Sequence, residues 1–184
     1  VEPLGRLGAA FRAFSLLELA ALAPFAERTL SAPELARVEG LRGRRRASCT
    51  AARLACKRLA RQLSGGDDRT PPGAITTVRP ERPQLPACPR TDGLGAGACS
   101  VAHDRRFAVA VAAEGSGGVA GEALDERVRR SRARCLPPAE EALVRASALG
   151  EVAAAVRIWS VKEAVATALD IPLAAAWARV EVPS

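Results

Sequence analysis

Phe107-Ala108-Val109-Ala110-Val111-Ala112-Ala113 is the stretch on which the fold class turns. It is apolar almost without interruption and of strand length, the pattern of a β-strand covered on both faces. Residues 99–102 just before it read as a second strand. The Gly115-Ser116-Gly117-Gly118 turn after it, followed by Val119 to Glu122, predicts a hairpin partner. Further out, Pro137-Pro138-Ala139-Glu140-Glu141 opens a helix. The longest helical pattern runs from Glu151 to Leu169, with Val152, Val156, Trp159 and Ala166 on or near one stripe. Arg179 to Val182 reads as a closing strand.

The N-terminal part supplies a second set of elements. Ser31-Ala32-Pro33-Glu34 is a helix start: Ser31 can cap, Pro33 suits the first turn, and Glu34 favours the positive dipole end. Another helix is expected from about Ser48 to Gln62, ended by Ser64-Gly65-Gly66-Asp67-Asp68. Residues 7–27 are apolar, and periodicity leaves helix and buried strand equally open. Residues 70–97 are rich in Pro and Gly, with a short strand candidate at Ala74 to Val78, and read as a connection. Alternating strands and helices in two sets give an α/β (α+β) chain of two similar halves, 1–95 and 96–184.

Composition narrows the partners. The chain has 184 residues and a formal net charge of +7, with 48% hydrophobic and 3% aromatic residues. That is enough for one domain or two small halves, and too apolar for a disordered tail. Among the basic residues 25 are Arg and only 2 are Lys, while Ala supplies 40 positions, a skew that reads as coding bias as much as design. A basic chain suits polyanions. The runs Arg42 to Arg46 and Arg127 to Arg134 lack the interleaved aromatics of a single-strand binder and read as solvated helix faces, so nucleic acid is not expected. The apolar segment from Ala9 to Ala26 is interrupted by Arg12, Glu18 and Pro24, so neither a membrane span nor a secretory signal is expected. Cys49, Cys56, Cys88, Cys99 and Cys135 contain no CxxC pair, and His103 is the one histidine, so the spacing holds no zinc motif. An odd count of cysteines fits reduced, buried thiols in a cytoplasmic protein.

Glu122 on a strand, Glu163 on the long helix beside Lys162, and His103 after a strand end could together surround a phosphorylated ligand. On physical grounds alone, a pair such as Lys162–Glu163 is more often a surface charge pair, and a lone histidine such as His103 more often structural than catalytic.

Six segments, in order, resemble the 4'-phosphopantetheinyl transferase superfamily of the larger surfactin-synthetase-activator type. Ile158-Trp159-Ser160-Val161-Lys162-Glu163-Ala164 is similar to the family's W-S-x-K-E-A helix. Leu136-Pro137-Pro138-Ala139-Glu140 stands at F-S/T-x-x-E, Gly118-Val119-Ala120-Gly121-Glu122 at G-[VI]-D-[IL]-E, and Ser100-Val101-Ala102-His103 at [SN]-[IV]-S-H. Glu81-Arg82-Pro83-Gln84-Leu85-Pro86 resembles the G-K-P-x-[IL] segment, and Arg53 and Lys57 the Arg-rich helix of the first half.

The resemblance implies two αβ halves in a pseudo-two-fold arrangement with a cleft between them. It implies transfer of the 4'-phosphopantetheine arm of coenzyme A to a serine of an acyl or peptidyl carrier protein, with Mg²⁺ on the pyrophosphate. Glu163, Lys162 and Glu122 would then be catalytic, Glu122 and Glu163 would hold the metal, and His103, Arg53, Lys57 and Arg82 would bind coenzyme A. The departures are specific. Ala120 replaces the metal-binding Asp, Ala102 the Ser before His103, Thr167 a second Lys, and Glu81-Arg82 the Gly-Lys pair. Arg82 can still clamp phosphate, and Asp104 or Asp125 are the neighbouring acids that could stand in for the missing Asp. Two alternatives follow. One is a repurposed, metal-independent enzyme using Glu122 and Glu163 as acid and base to dehydrate or cyclise a polyketide-like substrate. The other is a non-catalytic binder of coenzyme A or of a carrier protein.

Overall fold

The computed structural model describes residues 11–18, 26–64, 69–78, 88, 99–104, 106–115, 117–124, 132 and 135–183. The chain mixes helix and strand, an α+β composition. It divides into two compact units, Val1–Gly117 and Gly118–Ser184. The Pro/Gly-rich stretch before residue 96 is thus a break in composition, while the units separate after the strand pair that follows it.

The first unit contains β1 (Phe11–Glu18), α1 (Ala26–Thr29), α2 (Ala32–Glu39), α3 (Gly43–Leu63), a 3₁₀ turn at Pro72–Ala74, β2 (Cys99–His103) and β3 (Phe107–Ala113). The strands form one antiparallel sheet in the order β1-β3-β2. Leu17 lies opposite Ala108 and Phe14 opposite Val111, with an irregularity between Phe11 and Ala13; on the other edge Cys99 faces Ala112 and His103 faces Ala108. The β2–β3 turn is closed by Asp104, whose carboxylate Oδ1 accepts from the backbone N–H groups of Arg106 (2.6 Å) and Phe107 (2.7 Å).

β3 is the central strand, and its residues alternate. Ala108, Ala110 and Ala112 are fully buried, while Phe107, Val109, Val111 and Ala113 are half-buried. The alanine face packs on α3 through Ala51, Ala55, Cys56 and Leu59, with Cys88 in the same cluster. Small side chains on both surfaces let helix and sheet approach closely, and the expectation of a strand covered on both faces gives way to one dry face and one partly wet face.

This pairing corrects the expected hairpin. Residues 119–122 form no strand, because β1 and β2 already occupy both edges of β3. The candidate strand Ala74 to Val78 is likewise absent: the 3₁₀ turn takes Pro72–Ala74, and the Thr77 N–H donates to the Glu34 carboxylate (2.9 Å) rather than to a neighbouring strand. The undecided segment 7–27 contributes β1 as a strand.

The second unit contains α4 (Pro138–Ala146), α5 (Glu151–Leu169) and α6 (Leu173–Arg179). Its described residues include no strand: the expected final strand is replaced by α6 and an irregular tail in which the Val182 N–H donates to the Glu140 Oε1 (3.0 Å). Cys135, Leu136, Val144, Ala154, Ala155, Val156 and Ile158 form the core, with Trp159 and Trp177 at its border, ring centroids 4.9 Å apart. α5 stops at Asp170, which takes the left-handed conformation (φ 52°) and donates back to the carbonyls of Ala166 and Thr167, and Pro172 follows. None of the helices among the described residues is long and apolar enough to cross a membrane.

Candidate functional site

The sequence-derived carboxylates of the second unit sense each other's charge. Gly118 lies so close to α5 that a Cβ on it would run into the Ala164 backbone carbonyl and come within 3.0 Å of the Ala168 nitrogen. Only glycine permits that approach. It sets the Gly118 backbone against the helix at Ala164, the residue after Glu163. Glu163 is half-buried and Glu122 exposed. Burial pushes the Glu163 carboxyl above its usual value, the Glu122 charge pushes it further the same way, and a hydrogen bond from Trp159, one helical turn earlier, pulls it partly back. Glu163 therefore holds a proton more tightly than an ordinary carboxylate, and the pair is a concentrated negative charge.

Glu122→Gln removes the like-charge contribution and leaves the burial. The expected outcome is a Glu163 titration that moves down but stays above 4.5, read by carboxyl ¹³C NMR. An unmoved titration would show that the two carboxylates do not sense each other.

Lys162 points the other way. Successive helical residues are about 100° apart around the axis, so the side chain beside Glu163 enters the core. Its ammonium is fully buried, paired with Glu140 Oε2 at 2.7 Å and donating to the carbonyls of Cys135 (3.2 Å) and Trp177 (3.3 Å). The Glu140 contact is an ion pair, and the two carbonyls take the hydrogen bonds. Thr167, standing where a second lysine is expected, turns its hydroxyl back onto the Glu163 carbonyl (2.9 Å). Ala120 is half-buried and brings no side-chain oxygen.

In the first unit, Arg53 and Lys57 are not on a surface. They lie 0% and 3% exposed on α3, inside a polar network built on Glu34. Glu34 Oε2 accepts from the Ser31 backbone N–H (2.7 Å) and pairs with Lys57 Nζ (2.5 Å); Oε1 accepts from the Thr77 hydroxyl (2.5 Å) and the Thr77 N–H. Lys57 Nζ also donates to the carbonyls of Thr29 (2.6 Å) and Pro72 (2.8 Å), and Arg53 Nη1 donates to the Thr77 hydroxyl (3.0 Å). Glu34 was legible in the sequence only as a first-turn acid. Its role as hub depends on Thr77, far along the chain.

His103 is exposed at the end of β2, and Ala102 before it is half-buried. Asp104 spends its Oδ1 on the hairpin turn. Arg82 with its G-K-P-like segment, Asp125, and all of the Arg127 to Arg134 run except Arg132 lie outside the described residues. Arg132 is paired with Glu141 (2.9 and 2.6 Å) and with Glu151 (2.7 Å), the arrangement of a structural clamp.

Two cysteine expectations change. Cys88 and Cys99 are joined in a disulfide rather than held as separate thiols. The sulfurs of Cys56, Cys88 and Cys99 lie within 4.8 Å of one another, a grouping that sequence spacing could not reveal because the three come from a helix, a connecting segment and a strand.

Neither a protein-family model nor a curated protein sequence matches the chain.

Proposed function

We propose that the chain is a divergent 4'-phosphopantetheinyl-transferase-like enzyme of polyketide or nonribosomal-peptide metabolism, moving the arm of coenzyme A to a carrier-protein serine. The observation supporting this reading is the electrostatic coupling of Glu122 and Glu163, carboxylates from separate segments, together with the close approach of Gly118 to α5. The pseudo-two-fold arrangement of halves and the cleft belong to the same proposal.

Two carboxylates are hard oxygen donors and fit a divalent cation such as Mg²⁺, with water and pyrophosphate oxygens making up for Ala120. When bound, the cation would offset charge on the pyrophosphate. Glu122 and Glu163 would hold it. Trp159 fixes the Glu163 carboxylate by its hydrogen bond. Lys162, tied to Glu140, acts as a positioning residue that sets the rotation of α5 and so the direction of Glu163. The carrier serine Oγ bonds to the β-phosphorus, the bond to the adenosine-bisphosphate half breaks, and the serine proton passes to a carboxylate or to solvent. His103 and Arg82 are the proposed phosphate contacts. Arg53 and Lys57 contribute through the internal network that supports the first unit.

The raised proton affinity of Glu163 favours one second reading, metal-independent acid–base chemistry on a small or carrier-bound polyketide-like substrate. Mass spectrometry of a panel of apo carrier proteins, incubated with the chain, coenzyme A and Mg²⁺, separates the two. The transferase reading expects a phosphopantetheine mass increment that disappears with EDTA and with Glu122→Gln or Glu163→Gln. Absence of any increment across the panel overturns it. Turnover of a polyketide-like substrate that survives EDTA but not Glu163→Gln establishes the second reading in its place.

A further inference from the structure

We propose that Cys56, Cys88 and Cys99, when all three are reduced, form a trigonal three-thiolate site for a soft monovalent cation, copper(I). Three sulfurs converge to within 4.8 Å of one another from α3, from the connecting segment and from β2, with Cys56 Sγ 3.6 Å from Cys88 Sγ. Cys56 is fully buried, Cys88 is 3% exposed and Cys99 is half-buried, so the point they surround is shielded from water. The surroundings are apolar: Ala51, Ala55, Leu59, Ala108 and Ala112 belong to the same cluster.

The donor set selects the metal. Three sulfurs, with no histidine or carboxylate in the group among the described residues, are soft ligands that favour copper(I) over magnesium or calcium. Structural zinc sites close a tetrahedron with a fourth ligand, which this group does not supply. A monovalent d¹⁰ ion is satisfied by three thiolates, and their summed negative charge is partly offset by Arg53, one turn before Cys56, whose guanidinium acts on the Cys56 thiol.

Burial pushes that thiol up to about 12. Left alone it keeps its proton and is a poor nucleophile, which disfavours rapid exchange with the neighbouring disulfide. A metal ion displaces the proton directly.

The Cys88–Cys99 disulfide is the oxidised counterpart of the site. A small-molecule dithiol supplies two electrons and two protons, opening the bond to two thiols while the dithiol itself becomes a disulfide. Copper(I) then replaces the protons of the three thiols, which pass to solvent. Oxidation and metal loading are therefore mutually exclusive.

The test uses the whole chain, reduced anaerobically with a dithiol and desalted, then titrated with copper(I) against a bathocuproine chelator. The expected result is one copper(I) retained per chain, with an X-ray absorption first shell of three sulfurs. Cys56→Ser, Cys88→Ser and Cys99→Ser should each lose the ion to the chelator, whereas Cys49→Ser and Cys135→Ser should keep it. The wild-type sulfur count tests the site without any variant, should a serine substitution prevent folding. A first shell of two sulfurs or of nitrogen and oxygen, no retention by the reduced chain, retention unchanged in folded Cys56→Ser, or preferential retention of zinc(II) overturns the proposal.

Discussion

Glu34→Ala is expected to cost about 3–5 kcal/mol of folding stability, a large share of what a small unit possesses. Glu34 is completely buried, and its two oxygens serve Ser31, Lys57 and Thr77. Deleting it leaves the Lys57 ammonium among carbonyls that solvate it without neutralising it, and leaves the Thr77 and Ser31 N–H groups without their acceptor. Removing both charges together with apolar replacements of similar volume, Glu34→Leu with Lys57→Met, should recover much of the loss, because the uncompensated charge is then gone. Urea melts of the three proteins check the pattern. A loss below about 1 kcal/mol for Glu34→Ala would show that the network is solvated.

The same network sets an acid limit. Burial pushes the Glu34 carboxyl up, but the hydrogen bonds from Lys57, Thr77 and Ser31 outweigh it and hold the group below 4.5. A carboxyl whose folded value is depressed contributes stability that is fully present above its unfolded value and is lost as pH falls through the folded one. Stability should therefore decline from about pH 4.5 downward, and Glu34→Gln should flatten that limb.

The second large effect is expected at Lys162. Lys162→Met strands the Glu140 carboxylate, 2% exposed, leaving it the hydrogen bond from the Val182 N–H at 3.0 Å, and frees the carbonyls of Cys135 and Trp177. A loss of about 3–5 kcal/mol follows from breaking one side of a buried pair. Because those partners belong to α4, to Cys135 three residues before it and to α6, the damage should spread over the second unit, lowering its thermal midpoint and releasing the Trp159–Trp177 contact, visible in tryptophan fluorescence. Lys162→Met with Glu140→Leu should regain most of the stability. If the refolded double variant also regains carrier modification, Lys162 acts by positioning α5. If it folds but stays inactive, the positioning role is overturned.

The legibility of these features varied with the range of the interactions behind them. α5 from Glu151 to Leu169 and the strands around His103 and Phe107 were readable because periodicity and local propensity specify them. Residues 119–122 and 74–78 looked equally strand-like, yet a strand needs a free edge. β3 had none left, and the Thr77 backbone went to a carboxylate. Of the candidate site, Glu122 and Glu163 were visible as residue types, whereas their electrostatic coupling and the approach of Gly118 to α5 were not. Lys162, Arg53 and Lys57 were visible as cations, but nothing local distinguishes a cation facing phosphate from one enclosed with a buried glutamate.

The sequence by itself determined the α+β composition, the extent of the long helix, the helix start at Ser31, and the acids and thiols available for chemistry. Each of these depends on neighbours within a few positions. Tertiary structure alone decided that β1 and β2 flank β3, that Glu34 and Glu140 each neutralise a buried lysine, and that three cysteines share one apolar pocket. Those outcomes depend on which surfaces lose water together, and burial is a property of the assembled unit rather than of any local stretch of chain.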